Sequence, residues 1–298
     1  MHYITPALFY CQTRQSVLLY IDIIMQSLRG RTTAPAPHIF GEVAAVAELC
    51  EPCVQREVLC GGTAVYIGGV HRFGTDAMLL SHFCRIRRED RACDLGSGCG
   101  IIPLRWHDAG HRGPALAVEL QPEAVALLEQ SLAQPNARTG ECPGQHITAL
   151  CADLRTLVRR DVPAAGRYDL VCCNPPYFTG GAVSPKPGRA EARHQLTCTT
   201  ADVARAAAML LKDGGRLCLC GRPAILGQTM ADCIGAGLQP KRLRLVRHRP
   251  DAACAPSLFL LECRKAGGVG LIIEPELLME DGEGKVSAEV QKIYNLET

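Results

Sequence analysis

Short apolar runs alternate with amphipathic stretches along the chain from residue 91 onwards. The apolar runs predict five strands, at residues 91–95, 114–120, 146–154, 168–173 and 216–220. The stretches between them favour helices; behind Pro122, for example, Val125, Leu128 and Leu132 recur at helical spacing. Such alternation is typical of a parallel sheet that helices cover on both faces.

The last part of the chain breaks this rhythm. Apolar runs at 240–248 and 257–265 are joined by a short loop with no helix between them, which predicts an antiparallel hairpin. Helices are expected over 199–215, which starts with Thr and Asp and ends with Gly, and over 224–237. The predicted fold is α/β and Rossmann-like. Its mostly parallel seven-stranded sheet closes with a C-terminal antiparallel hairpin and has helices on both faces.

The chain divides into an extension and one organised domain. Residues 1–52 include a Pro- and Thr-rich stretch at 29–38 and predict a poorly ordered extension with a linker, whereas residues 53–298 predict the folded domain. Arg14 and Asp22 interrupt the apolar N-terminal stretch, so we expect neither a signal peptide nor a membrane helix.

Composition is that of a globular protein without a basic field. The 298 residues are 47% hydrophobic and 21% charged, with a net charge of +2, so any nucleic-acid site has to be a local patch. Seven of the 17 cysteines lie in strand-like runs, where a thiol acts as a small buried hydrophobe: Cys93, Cys151, Cys172, Cys173, Cys218, Cys220 and Cys263. We therefore expect a reduced, cytoplasmic protein. Cys50 and Cys53 form one C-x-x-C without a second pair, so no metal site is predicted.

A glycine-rich loop, "DLGSGCG", follows the first of the predicted parallel strands. Asp94 stands at the end of the strand, and Gly96, Gly98 and Gly100 allow backbone to approach a ligand closely. A dinucleotide site prefers G-x-G-x-x-G, with phosphate on the helix N-terminus. The spacing G-x-G-x-G behind an acid instead suits a ligand with an ammonium group, such as S-adenosylmethionine (SAM). The alternative is a structural turn.

Two further acids lie at predicted strand ends. Glu119 follows the loop by about 20 residues, where a carboxylate can accept hydrogen bonds from ribose hydroxyls. Asp153 ends the third strand, where it could reach the exocyclic amine of adenine; a helix-capping role is the alternative. Both acids favour a nucleoside ligand.

The stretch "NPPYF", residues 174–178, ends the fourth strand, and ligands of open α/β sheets bind at such carboxyl ends. The Asn174 side-chain oxygen and the Pro175 carbonyl can accept the N–H bonds of an exocyclic amine, while Pro175 and Pro176 keep these acceptors rigid. The ring of Tyr177 offers a surface on which a base can stack, worth about 1–3 kcal/mol. The predicted catalysis is orientation without an obligatory general base.

Together, "DLGSGCG", Glu119, "ADL" and "NPPY" resemble class I SAM-dependent amino-methyltransferases, a group of adenine-N6, guanine-N2 and glutamine-N5 enzymes. The resemblance is narrowed to the bacterial tRNA1(Val) adenine-N6-methyltransferase family by segments 71–83, 192–203 and 289–295. It covers residues 55–298 and implies that Thr75 and Asp76 help to close the SAM pocket, although the pair could also cap a helix. Gln195 departs from the family, in which an acid is usual, and this weakens a catalytic role for its loop.

Basic residues behind the motif predict contacts to RNA. The long Gly- and Pro-rich segment after Tyr177 and Phe178 reads as a mobile flap that carries Lys186, Arg189, Arg193 and His194. A second basic set lies on the predicted hairpin, where it could equally be the solvated face of an edge strand: Lys241, Arg242, Arg244, Arg247 and Arg249.

The predicted function is SAM-dependent N6-methylation of a tRNA adenosine beside the anticodon, in which the tRNA(Val) assignment rests on the resemblance. Unstacked anticodon bases are cheap to extrude. Glutamine-N5 methylation of release factors and guanine-N2 methylation of rRNA are the alternatives with the same chemistry. A nucleotide-dependent oxidoreductase and a non-catalytic RNA-binding module are alternatives of other classes. We expect a monomer that needs neither a metal nor a membrane.

Overall fold

The computed structural model describes residues 54–175, 198–251 and 253–294. The strands are β1 (Gln55–Val58), β2 (Ala64–Ile67), β3 (Ala92–Leu95), β4 (Ala115–Glu119), β5 (Ile147–Cys151), β6 (Tyr168–Cys173), β7 (Leu211–Gly221), β8 (Leu238–Arg247), β9 (Leu258–Lys265), β10 (Ile272–Ile273) and β11 (Leu277–Leu278). The α-helices are α1 (Thr75–Phe83), α2 (Ile101–Asp108), α3 (Pro122–Leu132), α4 (Thr200–Leu210), α5 (Leu226–Gly235) and α6 (Ala288–Ile293).

One mixed sheet organises the described residues. Its order is β10-β8-β9-β7-β6-β3-β4-β5, and β11 also pairs with β8. Strands β3 to β7 run parallel to their neighbours among themselves, whereas β9 is antiparallel to both β7 and β8. The predicted fold class is confirmed, including the antiparallel hairpin of β8 and β9. The two-residue strands β10 and β11 enlarge the predicted seven-stranded sheet to nine strands.

A separate two-stranded hairpin, β1–β2, precedes the main sheet and was not predicted from the sequence. It is tied to the domain by side chains from elsewhere in the chain. Asp108 accepts hydrogen bonds from the backbone N–H groups of Gly61 and Thr63, at 2.7 and 2.9 Å, and the Ser131 hydroxyl accepts one from Tyr66 N–H. The β1 sequence, Gln-Arg-Glu-Val, lacks the apolar run that revealed the strands of the main sheet. The domain boundary at 52/53 stays a prediction.

Helix α4 begins as predicted but ends earlier. Thr199 and Asp202 form a reciprocal capping box at its start. The sequence predicted a helix to residue 215; this is wrong, because the backbone turns to strand at Leu211, which pairs with Tyr168 of β6. The longest helices described contain 11 residues, and none in this part of the chain has the length and apolar character of a membrane span.

The sheet faces build two apolar core clusters, and buried cysteines take part in both. All the strand cysteines predicted to be buried are so, with the exception of Cys151, which is exposed at the end of the outermost parallel strand, β5. Every cysteine in the described ranges is a free thiol. Cys50 and Cys53 lie outside these ranges.

Candidate active site

The order of the sheet creates a switch point between β3 and β6. From β3 the chain adds β4 and β5 on one side, and it then returns to add β6 and β7 on the other side. Open α/β sheets bind ligands in the crevice at the carboxyl ends of the strands on either side of such a switch point. Asp94 lies in β3, and Asn174 directly follows β6. Both sequence-predicted groups thus flank the same crevice.

The glycine-rich loop combines open backbone with one packed position. Gly96, Gly98 and Gly100 all have positive φ, at 72°, 55° and 81°, which favours glycine. A Cβ on Gly96 or Gly98 would meet no atom within 4 Å, whereas one on Gly100 would lie 2.3 Å from Leu128 Cδ1. Gly96 and Gly98 therefore leave room for a ligand beside the backbone, and Gly100 allows the loop to pack against α3.

Asp94 is a buried acid that forms no ion pair within the described part of the chain. Only 1% of its surface is exposed, and neither carboxylate oxygen has a hydrogen-bond partner among the described residues. Burial, with a smaller contribution from the negative charge of Glu119, raises the pKa of Asp94 to about 8. A buried carboxylate of this kind is costly unless a cation or donor joins it. The site therefore fits a ligand that carries an ammonium group.

Glu119, at the end of β4, holds the glycine-rich loop. One carboxylate oxygen accepts the backbone N–H of Gly98 at 2.8 Å, and the other accepts that of Gln121 at 2.9 Å. The side chain is buried, so these bonds fix its position. The role predicted from the sequence, binding of ribose hydroxyls, stays a prediction. The ribose hydroxyls would have to donate to the remaining lone pairs of the same two oxygens.

Asp153 lies two residues beyond the end of β5. Arg155, which the sequence analysis did not single out, donates to both of its oxygens, with distances of 3.0 Å from Nε to each and 2.7 Å from a terminal nitrogen to Oδ2. This hydrogen bonding is the main cause that lowers the pKa of Asp153. The carboxylate is ionised and oriented, and its predicted contact with adenine stays untested.

The segment at the start of α1 departs from the capping alternative. Gly74 is the N-cap residue, and Thr75 and Asp76 are the first two helical residues. Asp76 Oδ1 accepts the backbone N–H of Ala77 at 2.9 Å. A carboxylate in the first turn of a helix stabilises the free N–H groups there. That Thr75 and Asp76 help to close the SAM pocket stays a prediction.

Asn174 lies where the motif analysis expected it, next to a residue that it missed. The Cys220 thiol of β7 donates to Asn174 Oδ1, with a distance of 3.1 Å between sulfur and oxygen. Asn174 and Pro175 are half-buried at the crevice. The other predicted substrate and catalytic residues lie outside the described residues: Pro176, Tyr177, Phe178, Lys186, Arg189, Arg193 and His194.

Leu120 also escaped the sequence analysis. It directly follows Glu119, at the carboxyl end of β4, and is 40% exposed. A large apolar side chain that remains exposed at the end of a buried strand offers a contact surface to a planar ligand. The sequence could have revealed this residue, since Leu120 is an apolar side chain that directly follows the acid at the end of the strand.

The four arginines of β8 and its following loop are paired with acids. Their guanidinium groups pair with glutamates near the C-terminus or in β9: Arg242 with Glu262 and Glu274, Arg244 with Glu289, Arg247 with Glu276 and Arg249 with Glu280. Lys241 donates to the carbonyl of Gly268. Since these groups already bind within the chain, they favour the alternative of a structural edge over an RNA contact.

Comparison with known proteins decides the family. The family described as methyltransferase small domain matches residues 60–233. The chain belongs to this family. The tRNA1(Val) (adenine(37)-N6)-methyltransferase of Tolumonas auensis is 30% identical over 194 residues, which are 64% of this chain and 75% of the relative. Its counterpart from Dickeya chrysanthemi is 31% identical over 150 residues, or 50% of this chain and 55% of the relative.

A solved structure shows the same fold. The crystal structure of a predicted O-methyltransferase from Agrobacterium tumefaciens superposes with a TM-score of 0.58 at 21% identity and covers 74% of this chain and 96% of the other. The sequence-based resemblance, the fold class and the enzyme class are confirmed: this chain is a SAM-dependent methyltransferase. The oxidoreductase alternative is thereby set aside.

Proposed function

We propose that this enzyme methylates N6 of an adenosine in tRNA, beside the anticodon and in a tRNA of the valine type. The supporting observation is the position of Asn174 and Pro175 at the switch point, directly after β6, the strand that lies next to the one leading into the glycine-rich loop. The relatives named tRNA1(Val) (adenine(37)-N6)-methyltransferase support the same substrate class. The proposal includes a cytoplasmic location and a monomeric enzyme whose domain spans residues 53–298.

The cofactor side of the crevice is assigned to the glycine-rich loop and its neighbours. SAM supplies a methyl group activated by its sulfonium. The carboxyl group of Asp94, which has no hydrogen-bond partner among the described residues, would hold an ammonium group, and the open backbone at Gly96 and Gly98 would admit the ligand. Glu119 shapes that backbone through the Gly98 hydrogen bond and would also bind ribose. Further contacts are assigned to Thr75, Asp76, Gly100 and Asp153.

Asn174 and Pro175 would orient the target amine. The lone pair of an exocyclic amine is delocalised into the base, which makes the nitrogen a weak nucleophile. Hydrogen bonds from its two N–H groups to the Asn174 side-chain oxygen and the Pro175 carbonyl would favour a pyramidal nitrogen whose lone pair faces the methyl donor. This mechanism works by positioning and charge placement, and it requires no general base.

The substrate side includes predicted residues beyond the described ranges. Tyr177 would stack on the flipped adenine, and Phe178 would lie beside it. Basic residues of the same segment would contact phosphates, which makes binding salt-dependent: Lys186, Arg189, Arg193 and His194.

One experiment tests the reaction and the target atom together. Purified enzyme is incubated with labelled SAM and bulk tRNA that lacks base methylation, and the tRNA is digested to nucleosides for mass spectrometry. We expect N6-methyladenosine with wild type and none above background with Asn174→Ala. SAM affinity measured by calorimetry on both proteins shows whether the variant still binds the cofactor.

Other products would redirect the assignment. N2-methylguanosine from ribosomal RNA, or methylated glutamine in a release factor, would replace the tRNA proposal while the amino-methyltransfer chemistry would stand. SAM binding without turnover on any of these substrates would favour a non-catalytic RNA-binding module.

A further inference from the structure

We propose that Cys220 is a positioning residue for methyl transfer, because its thiol holds the side-chain amide of Asn174 in the orientation that the reaction needs. The inference rests on the proposed function. It assigns a role in catalysis to a buried thiol of a neighbouring strand, which does not itself touch the substrate.

The contact is short and fixed by the sheet. Cys220 Sγ lies 3.1 Å from Asn174 Oδ1, and Cys220 is fully buried. Strands β6 and β7 are parallel with Cys173 opposite Leu219, so Asn174 and Cys220 occupy the next position of the same register. Side chains two residues apart along a strand share one face, and this places Asn174 and Cys220 on the face of the preceding pair, Cys172 and Cys218.

The direction of the hydrogen bond matters for the chemistry. An asparagine amide presents an acceptor oxygen and a donor nitrogen, and a rotation about its last bond exchanges them at nearly unchanged shape. A thiol is a weak donor, and the amide oxygen is the better acceptor for it. Because the Asn174 oxygen has two lone pairs, one can accept from Cys220 while the other accepts the amine of the target base. The thiol therefore favours the amide orientation that presents an acceptor to the substrate.

The chain offers a matched control in Cys218. This residue is also fully buried, lies two positions earlier in β7 and belongs to the same core cluster. Its thiol hydrogen-bonds with Cys84, at the end of α1. Substitution of Cys218 therefore removes a buried sulfur from the same face of the same strand as substitution of Cys220 does, but it leaves the contact with Asn174 in place.

The first test compares Cys220→Ala, Cys220→Ser and Cys218→Ala in steady-state methylation of tRNA. For Cys220→Ala we expect kcat to fall about fivefold, since the net contribution of one hydrogen bond is about 1 kcal/mol. The KM for tRNA and the affinity for SAM should stay within about twofold of wild type, because neither depends on the orientation of one amide. The hydroxyl of Cys220→Ser is a donor and should restore most of kcat, and Cys218→Ala should retain it.

Three results would overturn the role of Cys220. Wild-type kcat in Cys220→Ala would show that the thiol is dispensable. An equal loss in Cys220→Ala and Cys220→Ser would indicate a packing role, since the donor would not matter. An equal loss in Cys218→Ala would indicate a general response of β7 to cavities.

A second measurement does not depend on turnover. The side-chain carbonyl 13C resonance of Asn174, assigned by its disappearance in Asn174→Ala, moves downfield when the oxygen accepts a hydrogen bond. We expect an upfield shift in Cys220→Ala, a value near wild type in Cys220→Ser, and no change in Cys218→Ala. An unchanged resonance in Cys220→Ala would overturn the contact itself. Inactivity of the wild type on every tRNA would instead overturn the proposed function, and the resonance would still decide whether Cys220 holds Asn174.

Discussion

The backbone N–H of Gly98 donates a 2.8 Å hydrogen bond to the carboxylate of Glu119, which ties the loop after β3 to the end of β4. The second oxygen of Glu119 accepts from Gln121, so one buried side chain shapes two turns at the crevice. Glu119 therefore fixes the conformation of the glycine-rich loop independently of any direct contact that it makes with the cofactor.

Substitution of Glu119 should lower stability and SAM affinity together. Glu119→Ala removes both acceptors and leaves two N–H groups without their partner, so we expect the free energy of unfolding to fall by about 2 kcal/mol and SAM to bind more weakly. Urea unfolding without SAM and calorimetry with SAM measure the two effects. The exposed Glu123→Gln of α3 serves as the control: it should leave SAM binding unchanged and lower the free energy of unfolding by less than about 1 kcal/mol, because it removes only a carboxylate from the first turn of the helix. If Glu119→Ala bound SAM more weakly but kept wild-type stability, Glu119 would contact the ligand without stabilising the loop.

Asp94 should release a proton when SAM binds at pH 7. Its pKa is about 8 in the folded protein, so the carboxyl is mostly protonated at pH 7, and a nearby ammonium group favours ionisation. Calorimetry in buffers of different ionisation enthalpy counts the protons released. We expect Asp94→Asn to bind SAM more weakly and to lose this release. An equal proton count in wild type and Asp94→Asn would contradict the prediction that Asp94 binds the ammonium group of SAM.

The same group predicts a pH dependence of stability. The pKa of Asp94 rises from 3.8 to about 8 on folding, so between these values the folded state binds the proton more tightly. The free energy of unfolding of the SAM-free protein should therefore fall as pH rises from about 4 to 8, by at most about 1.4 kcal/mol per pH unit from this group. Asp94→Asn should remove that slope. Urea unfolding across this range measures it, and an equal slope in both proteins would contradict the prediction.

Substitutions of the loop glycines should differ in effect: Gly100 should matter mainly for stability and Gly96 mainly for SAM binding. Gly100→Ala places a Cβ 2.3 Å from Leu128 Cδ1 in a left-handed backbone, so we expect a loss of about 2–3 kcal/mol in unfolding free energy. Gly96→Ala meets no atom and should cost about 1 kcal/mol through its backbone alone, while it weakens SAM binding. Leu128→Ala combined with Gly100→Ala tests the clash: less than additive destabilisation is expected, and full additivity would place the cause elsewhere.

Asn174→Ala should abolish methylation and retain SAM affinity. The side-chain oxygen is assigned to the target amine, and removal of a group that acts in the transition state lowers kcat without weakening the cofactor. We expect kcat to fall at least about 100-fold, with the SAM dissociation constant within about twofold of wild type. Steady-state assays and calorimetry measure these values. A parallel loss of SAM binding would move Asn174 to the cofactor side.

Arg244→Ala should affect structure and leave tRNA binding unchanged. Both terminal nitrogens of Arg244 bind the Glu289 carboxylate, at 2.6 and 2.8 Å, and this ion pair joins β8 to α6. The pairing is the main cause that lowers the pKa of Glu289. A modest fall in unfolding free energy with an unchanged KM for tRNA is expected. A KM that rises and depends less on salt would assign Arg244 to a phosphate contact.

The pattern of residue types was enough to predict the fold class and the methyltransferase chemistry. The sequence pattern located seven strands of the main sheet. The five parallel ones, β3 to β7, contain apolar runs that need no partner to be recognised, and β8 and β9 were found as two apolar runs joined by a short loop. The motif residues Asp94 and Asn174 were found for a related reason: acids and amides that end apolar runs stand out against their surroundings.

The contacts of these side chains, in contrast, depend on the folded chain. The pairing of Asp153 with Arg155, the hydrogen bond of Glu119 to Gly98 and the glutamates that neutralise the β8 arginines depend on distances that no periodicity encodes. The early end of α4 at Leu211 follows from strand pairing with Tyr168, which overrides local helix propensity. The contact of Cys220 with Asn174 joins residues 46 positions apart, because the register of two neighbouring strands brings them to one face.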